Sequence, residues 1–377
     1  GSLKLPTPGQ FGCRMTNTAI QKRGVPCAIS EFTRPLITCY SIRMNNEHTS
    51  IVAVDAGGTN IRVAYGLLAH GRFTISIRTC YKTENFSSMN PVLEDFFKKH
   101  KAGKPEIIAL CGAGPVKNDY IAMSNANFSI SKTAIQNDFC SQVLLMNDFS
   151  AMTWGILEDY LHEMHQHELI HGEAVRNTSP IIALGPGTGL GFGYAVFTNE
   201  KPLVFASEGG HTALPVWDET TARLAVFTVQ RYPDGCDAEK LISGPGIALL
   251  YEFVTEGRLH DTVARLPYKE QPARITELAL TGDTDARTTI ELFISLLARF
   301  CAEAAATFLP QGIFITGGVA QKIKPLFSTK LFSDQFCASW APSLTPVLSK
   351  TPVYLAGSED TALYGLAFAG AVMNNLL

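Results

Sequence analysis

From residue 51 onward, the chain opens with apolar runs whose spacing predicts β-strands. Ile51–Val54 and Ile61–Leu68 are rich in β-branched residues and flank a pair of glycines, so they predict a hairpin. Arg72–Lys82 alternates apolar and polar side chains, which predicts a third strand beside that hairpin. The first part of the chain is therefore expected to form a sheet.

Helical and strand patterns interleave through the rest of the chain. The longest predicted helix is Thr288–Leu309, whose apolar residues recur at helical spacing and which Pro310 follows. Strands interleaved with helices predict an α/β fold with mixed sheets. The other predicted helices are Pro91–Lys101, Ser131–Asp138, Phe149–Leu161 and Thr361–Met373. The other predicted strands are Ile107–Cys111, Tyr120–Met123, Val143–Met146, Pro180–Leu184, Phe192–Phe197, Ile313–Thr316 and Pro352–Ala356.

Two glycine-rich turns join pairs of predicted strands, one at Asp55–Asn60 and one at Gly185–Gly191. Glycine lets main-chain N–H groups approach phosphate oxygens, and Thr59 adds a hydroxyl donor. Asp55 offers the oxygen ligands that Mg²⁺ prefers. Taken alone, such a glycine turn is more often an ordinary hairpin than a phosphate site. The second turn has Leu190 where a dinucleotide fingerprint needs glycine, and the chain has no P-loop motif, so neither of those folds is favoured.

Composition narrows the class of protein. The 377 residues have a hydrophobic content of 46% and a formal net charge of −3, which describes a globular protein without a preference for nucleic acid. No apolar stretch is long enough for a membrane helix. The nine cysteines are dispersed without a C-x-x-C pair, as expected for reduced thiols in the cytoplasm. Residues 1–50 lack the later pattern and are predicted to be an extension, with Gly1-Ser2 resembling a cleavage scar.

Six motifs occur in a fixed order along the chain. They are D-A-G-G-T-N at 55–60, N-D-F at 147–149, G-P-G-T-G-L-G at 185–191, S-E-G-G-H at 207–211, A-E-K-L-I-S-G-P-G at 238–246 and F-I-T-G-G-V at 314–319. Together they resemble the bacterial glucokinase family, within the hexokinase and actin-like ATPase superfamily. The resemblance implies a two-domain actin-like ATPase fold of the ribonuclease H-like type, with an interdomain cleft. The implied domains are 51–158 plus 358–377 (small) and 159–357 (large).

The resemblance also implies an activity and a set of site residues. The activity is phosphoryl transfer from MgATP to the 6-hydroxyl of glucose, by a cytoplasmic homodimer that binds no nucleic acid and no membrane. Asp148 matches the general base, and Asp55 would hold Mg²⁺ through ATP, directly or through water. The sugar contacts implied are Asn125, Asn147, Asp148, Glu208, His211 and Glu239. The nucleotide contacts implied are Asp55, Gly57, Gly58, Thr59, Asn60, Gly187, Thr188, Gly189, Gly317 and Gly318.

Departures from the family pattern are mild. Ser124 and Phe128 stand where the family usually has threonine and tryptophan, which puts the sugar affinity in doubt. No cysteine cluster follows His211, so no structural zinc is expected.

Alternative interpretations remain for several of these residues. Asp148 is also a good helix N-cap, His211 could simply pack, and Glu239 could be a solvated residue at a helix start. His167–His171 spells H-E-x-x-H, the zinc-peptidase signature, which requires a helix. An actin-like nucleotide switch would share the phosphate turns but would not need the sugar-facing residues. Another hexose in place of glucose is a further alternative.

Overall fold

The computed structural model describes residues 48–123, 126–162, 166–174, 179–198, 201–338 and 341–376. The predicted sugar residue Asn125 and most of the predicted N-terminal extension lie outside the described residues. No described helix is long and apolar enough to cross a membrane. Within the described part, two large sheets and the helices around them form an α/β fold, as predicted.

The first sheet has the strand order β3-β2-β1-β4-β7. Strands β1 and β2 are antiparallel and pair Ala56 with Ile61, whereas β4 and β7 run parallel to β1. The carboxyl ends of the three parallel strands therefore share one edge, where the register aligns Asp55 with Cys111 and Gly112 with Asn147. The first-sheet strands are β1 (Thr49–Ala56), β2 (Asn60–Ala69), β3 (Arg72–Lys82), β4 (Ile107–Gly112) and β7 (Gln142–Asn147). Between them lie α1 (Met89–His100), the small hairpin β5 (Tyr120–Ala122) and β6 (Ser129–Ser131), and α2 (Lys132–Phe139).

The second sheet repeats the glycine hairpin in a different setting. Its strand order is β11-β10-β9-β12-β13-β8, and β9 and β10 pair Pro186 with Leu190 across the second glycine turn. Strand β12 runs parallel to β9 and ends directly before Thr316 and Gly317. The second-sheet strands are β8 (His167–His171), β9 (Ile181–Pro186), β10 (Leu190–Val196), β11 (Leu203–Ser207), β12 (Gly312–Ile315) and β13 (Val353–Ala356).

Helix α3 (Asp148–His162) begins where β7 ends, so the edge of the first sheet continues directly into it. Together with the last helix it forms a buried cluster that includes residues of both sheets, among them Ile51 and Phe314. The two helices cross at glycines: a Cβ on Gly365 would lie 2.0 Å from Ala151 O and 2.3 Å from Gly155 N. The remaining helices are α4 (Glu219–Arg231), α5 (Gly244–Val254), α6 (Asp261–Ala264), α7 (Gln271–Thr281), α8 (Thr284–Phe308), α9 (Gly318–Ile323), α10 (Thr329–Cys337), α11 (Thr345–Leu348) and α12 (Thr361–Met373).

Most predicted elements form within a few residues of their expected ends, and Thr361–Met373 forms with the predicted bounds. Strands β6, β8 and β11 were not predicted. The prediction of two domains with boundaries near 158 and 358 stays a prediction.

Candidate active site

The first glycine turn is braced on both sides by hydrogen bonds. Gly57 N–H donates to Asn60 O at 2.9 Å, which closes the turn, and Thr83 Oγ1 donates to Gly57 O at 2.7 Å. Lys82 Nζ donates to Asn60 Oδ1 at 2.9 Å. Gly58 and Thr59 at the tip are exposed. A closed turn with an exposed tip suits the backbone phosphate site that the sequence predicts.

Asp55 lies beside this turn and is held by two neighbours that the sequence reasoning missed. Arg62 Nη1 on β2 donates to Asp55 Oδ2 at 2.9 Å, and Cys111 Sγ on β4 donates to Asp55 Oδ1 at 3.4 Å. Burial, together with the nearby charges of Asp55 and Asp148, raises the pKa of the Cys111 thiol well above its usual range. A thiol that stays protonated can donate to a carboxylate, so Asp55 is oriented from two adjacent strands.

Asp148 begins α3 in a largely buried position. Burial, opposed by a hydrogen bond from the Phe149 N–H and reinforced by the charge of Asp55, raises the pKa of Asp148 to about 6. A carboxyl group whose pKa is raised toward neutral pH, with the charge of Asp55 nearby, is typical of a residue that accepts or donates a proton in catalysis.

The cap of α3 is mainly Asn147, which corrects the alternative that Asp148 is simply the N-cap. Asn147 Oδ1 accepts from the N–H groups of Phe149 and Ser150 at 2.8 and 3.3 Å. Asp148 Oδ1 accepts from the adjacent Phe149 N–H at 2.9 Å, and Asp148 is also hydrogen-bonded by the Asn147 side chain. The Asn147 oxygen is thus used in capping, and its Nδ2 donates to Gly114 O at 3.3 Å.

The second glycine turn packs against Phe149 and Glu239. Gly187 N–H donates to Gly189 O at 2.8 Å, and Gly244 N–H at the start of α5 donates to Gly187 O at 2.7 Å. Glu239 Oε2 accepts from Leu190 N–H at 2.9 Å. The Phe149 ring fills the space beside the hairpin strands, where a Cβ on Gly191 would lie 2.1 Å from Phe149 Cδ2. Phe149, which directly follows Asp148, thus packs against the second glycine turn and keeps Asp148 close to it.

Glu239 sits in a 3₁₀ turn, Ala238–Lys240, and is half-buried. Because Glu239 accepts a hydrogen bond from the Leu190 N–H of the hairpin, it is not the freely solvated residue of the alternative interpretation. Glu208 has an exposed carboxylate, and its Oε2 lies 3.9 Å from His211 Nε2. His211 Nδ1 donates to Asp237 Oδ2 at 3.0 Å, and Asp237 is another neighbour that the sequence reasoning missed. The structure thus places Glu208, His211 and Glu239 on two adjoining turns, with Ala238 N–H donating to Thr212 O at 2.9 Å.

Gly317 and Gly318 follow β12 and begin α9. Gly317 has φ of 91°, and a Cβ there would lie 2.7 Å from Pro186 O, so glycine is required at this close approach. Gly318 faces open space. This turn therefore lies directly against the end of β9, next to the second glycine turn.

The H-E-x-x-H segment is a strand, β8, and not the helix that a zinc peptidase needs. His167 Nδ1 pairs with Asp159 Oδ2 at 2.5 Å, and His171 contacts Ser333 Oγ and Leu348 O at 2.9 and 3.0 Å. Among the described residues, no group of three or more His, Cys, Asp or Glu side chains could hold a metal ion. The zinc-hydrolase alternative is therefore wrong for the described part of the chain.

A cavity of about 580 Å³ opens beside the tip of the first glycine turn. Gly58, the segment from Thr83 to Ser87 and the pair Ala126 and Asn127 line it. It thus adjoins the first phosphate turn and the loop that precedes Phe128.

Comparison with known proteins shows which family the chain is similar to. The Glucokinase family model matches residues 52–373. A bifunctional protein glk of Burkholderia lata is 30% identical over 317 residues, covering 83% of this chain and 47% of that protein, so this chain spans about half the length of those relatives. A glucokinase of Neisseria meningitidis is 26% identical over 321 residues, covering 84% of this chain and 94% of that one.

A similar solved structure is a glucokinase from an Antarctic psychrotroph, with a TM-score of 0.74 and 25% identity, covering 85% of this chain and 98% of that one. Similarity in sequence, in fold and in the order of the site motifs leads to one conclusion: this chain belongs to the glucokinase family.

Proposed function

We propose that this chain transfers the γ-phosphoryl group of ATP to the 6-hydroxyl of glucose, giving glucose 6-phosphate and ADP. The observation that carries the proposal is the position of Asp148. Its carboxylate, whose pKa burial raises to about 6, lies at the end of β7, near Asp55 of the first glycine turn. The adjacent Phe149 packs on the second turn. A proton acceptor set between two backbone phosphate sites suits a kinase.

Asp148 would orient the sugar hydroxyl and accept its proton at a carboxylate oxygen as the phosphoryl group transfers. The main-chain N–H groups of the two glycine turns would hold the phosphates, with Thr59 and Thr188 adding hydroxyl donors. Phosphoryl transfer passes through a loose transition state, so holding the reactants in line is the main contribution expected of these residues.

The carboxylates of Asp55 and Asp148 are close enough for their charges to interact, and they offer the oxygen ligands that a hard divalent cation prefers. Both oxygens of Asp55 already accept hydrogen bonds, which favours contact with Mg²⁺ through a water molecule. When bound with ATP, Mg²⁺ would neutralise charge on the transferring phosphates.

Glu208, His211 and Glu239 are proposed to bind the sugar hydroxyls. Carboxylates and imidazole satisfy neighbouring hydroxyls that both donate and accept. These residues separate a sugar kinase from an actin-like nucleotide switch, which has no use for them. A homodimer, a cytoplasmic location and a place in glycolysis go with the proposal and remain to be measured.

The test is an ATP-consumption assay of the purified chain against glucose, mannose, fructose, N-acetylglucosamine and N-acetylmannosamine. We expect glucose to give the highest kcat/KM, with product release of glucose 6-phosphate and a requirement for Mg²⁺. A higher kcat/KM with another hexose would support the proposed kinase activity but would replace glucose as its substrate. ATP hydrolysis unaffected by every sugar would favour the nucleotide switch and overturn the proposal.

A further inference from the structure

His211 is oriented by a carboxylate from a distant part of the sequence. Asp237 Oδ2 accepts from His211 Nδ1 at 3.0 Å. An ionised carboxylate only accepts hydrogen bonds, so the ring proton of neutral His211 is on Nδ1. Nε2 is therefore the acceptor that remains, and it faces Glu208 Oε2 at 3.9 Å. The contact thus selects one tautomer of the histidine.

The second oxygen of Asp237 has a different partner on the same short segment. Asp237 Oδ1 accepts from Lys240 N–H at 3.1 Å and so caps the 3₁₀ turn Ala238–Lys240 that carries Glu239. A single carboxylate therefore holds both the ring of His211 and the turn that positions Glu239.

We propose that Asp237 is a positioning residue for sugar binding, which fixes the tautomer and ring orientation of His211 through Oδ2 and the turn bearing Glu239 through Oδ1. The inference rests on the proposed function. Asp237 is not proposed to touch the sugar itself. It acts on sugar binding through His211 and Glu239, which are proposed to contact the sugar.

The charges around His211 set how this contact responds to pH. Three carboxylates face the ring, those of Asp237, Glu239 and Glu208, and Lys240 Nζ lies 3.9 Å from Asp237 Oδ2. The hydrogen bond to Asp237, more than the other charges, raises the pKa of His211 above its ordinary value. As pH falls through that pKa, Nε2 gains a proton and changes from acceptor to donor. Loss of Asp237 therefore moves this change to lower pH.

The two turns are joined by main-chain contacts that do not need the Asp237 side chain. Ala238 N–H donates to Thr212 O at 2.9 Å, and Leu214 N–H donates to Cys236 O at 3.4 Å. Substitutions at Asp237 are therefore expected to leave the local fold in place.

The experiment compares Asp237→Ser, Asp237→Asn and a control, Asp283→Ser. Serine can still cap the turn but supplies no charged acceptor for His211, whereas asparagine keeps a neutral acceptor of the same length. Asp283 is an N-cap carboxylate of the same kind, which accepts from Ala286 N–H at 2.8 Å on α8. It therefore reports the effect of a lost acidic cap away from the site.

For Asp237→Ser we expect KM for glucose to rise about 5- to 20-fold, with kcat and KM for MgATP within about twofold of wild type. The glucose KM of Asp237→Asn should lie between those of wild type and Asp237→Ser. The glucose KM of Asp283→Ser should match wild type. The ionisation of His211, followed by NMR of its ring, should move to lower pH in both Asp237 variants, with Nδ1 no longer the fixed protonated nitrogen in Asp237→Ser.

An unchanged glucose KM in Asp237→Ser, or an equal rise in the KM of both substrates, overturns the inference. So does an unchanged tautomer of His211. Failure of the wild-type chain to phosphorylate any hexose would overturn the proposed function instead, and the NMR measurement would still test the Asp237–His211 contact.

Discussion

At the scale of single residues, the proposed chemistry depends on one partly buried carboxylate, Asp148, whose surroundings oppose its ionisation. Burial raises the pKa of Asp148 from 3.8 to about 6, and the charge of Asp55 adds to that rise. The ionised form needed for proton acceptance is therefore dominant only above about pH 6. Below that pH, the protonated carboxyl cannot accept the sugar proton.

Asp148→Asn should lower kcat by roughly 10²- to 10⁴-fold while glucose still binds, because the amide keeps the hydrogen-bonding shape but cannot take a proton. In the wild-type chain, kcat/KM should decline below about pH 6, following the ionisation of Asp148. Steady-state kinetics across pH and calorimetric titration with glucose measure both effects. A near-normal kcat in the variant would remove Asp148 from the role of base.

At the scale of elements, the crossing of α3 and α12 depends on two facing glycines. A Cβ at Gly365 would come within 2.0 Å of Ala151 O, and one at Gly155 within 2.0 Å of Thr361 O. Backbone cannot move aside as a side-chain tip can, so close helix contact requires glycine here. The same crossing holds the helix that begins with the proposed base.

Gly365→Ala should therefore destabilise the chain by about 1–3 kcal/mol, because overpacking outweighs the better helix propensity of alanine. Gly370→Ala is the matched control on the same helix. There, the nearest atom to an added Cβ is the Ile107 Cγ2 methyl, at 3.3 Å, and no backbone atom is among the close contacts. Gly370→Ala should therefore destabilise the chain less than Gly365→Ala. Urea unfolding of the two variants gives the comparison, and equal destabilisation by both would contradict it.

Elements were predictable where the local pattern agreed with the tertiary environment. The glycine hairpins and α12 carry strong signals of turn chemistry or apolar periodicity. Strand β8 could not be predicted from its spacing, because His167 and His171 lie four residues apart, as they would on one face of a helix. Only its pairing with β13 makes it a strand. Strand β11 has mostly exposed side chains, so no buried face marks it in the sequence.

The site was predictable for the residues within motifs and not for most of their partners. Cys111 reaches Asp55 through the parallel register of β1 and β4, which no linear spacing reveals. Arg62 lies opposite Asp55 across the predicted hairpin, so the hairpin register could have identified it. Asp237 lies 26 residues from His211 and resembles any helix cap in the sequence. Such partners depend on how turns from separate segments come together.

At the scale of the whole molecule, one buried acid makes stability depend on pH. Glu158 on α3 is 2% exposed, and burial, followed by the charge of Asp159, raises its pKa from 4.5 to about 7, against the opposing charge of Arg72. The unfolded chain loses this proton near pH 4.5 while the folded chain keeps it. Glu158 therefore costs stability progressively as pH rises from about 4.5 to about 7.

Glu158→Gln should remove that cost, since the amide stays neutral. Relative to wild type, the variant should gain on the order of 2–3 kcal/mol between pH 5 and pH 8. Glu94→Gln, on the exposed face of α1, is the control and should show no such trend. Denaturant unfolding across pH makes the measurement. A constant difference between Glu158→Gln and wild type would show that Glu158 ionises as it does in the unfolded chain.

The glycines of the second turn have a consequence for the genetics of this protein. The glycines of the proposed phosphate site contribute only main-chain N–H groups, which no substitution deletes, so damaging alleles at these glycines act by adding atoms. Added atoms meet Phe149 at Gly191 and Glu239 at Gly189, but nothing within 4 Å at Gly187 or Gly318. Alleles at Gly191 should therefore be suppressed by smaller residues at position 149, next to the proposed base. The second turn and position 149 are thus expected to change together as sequences diverge.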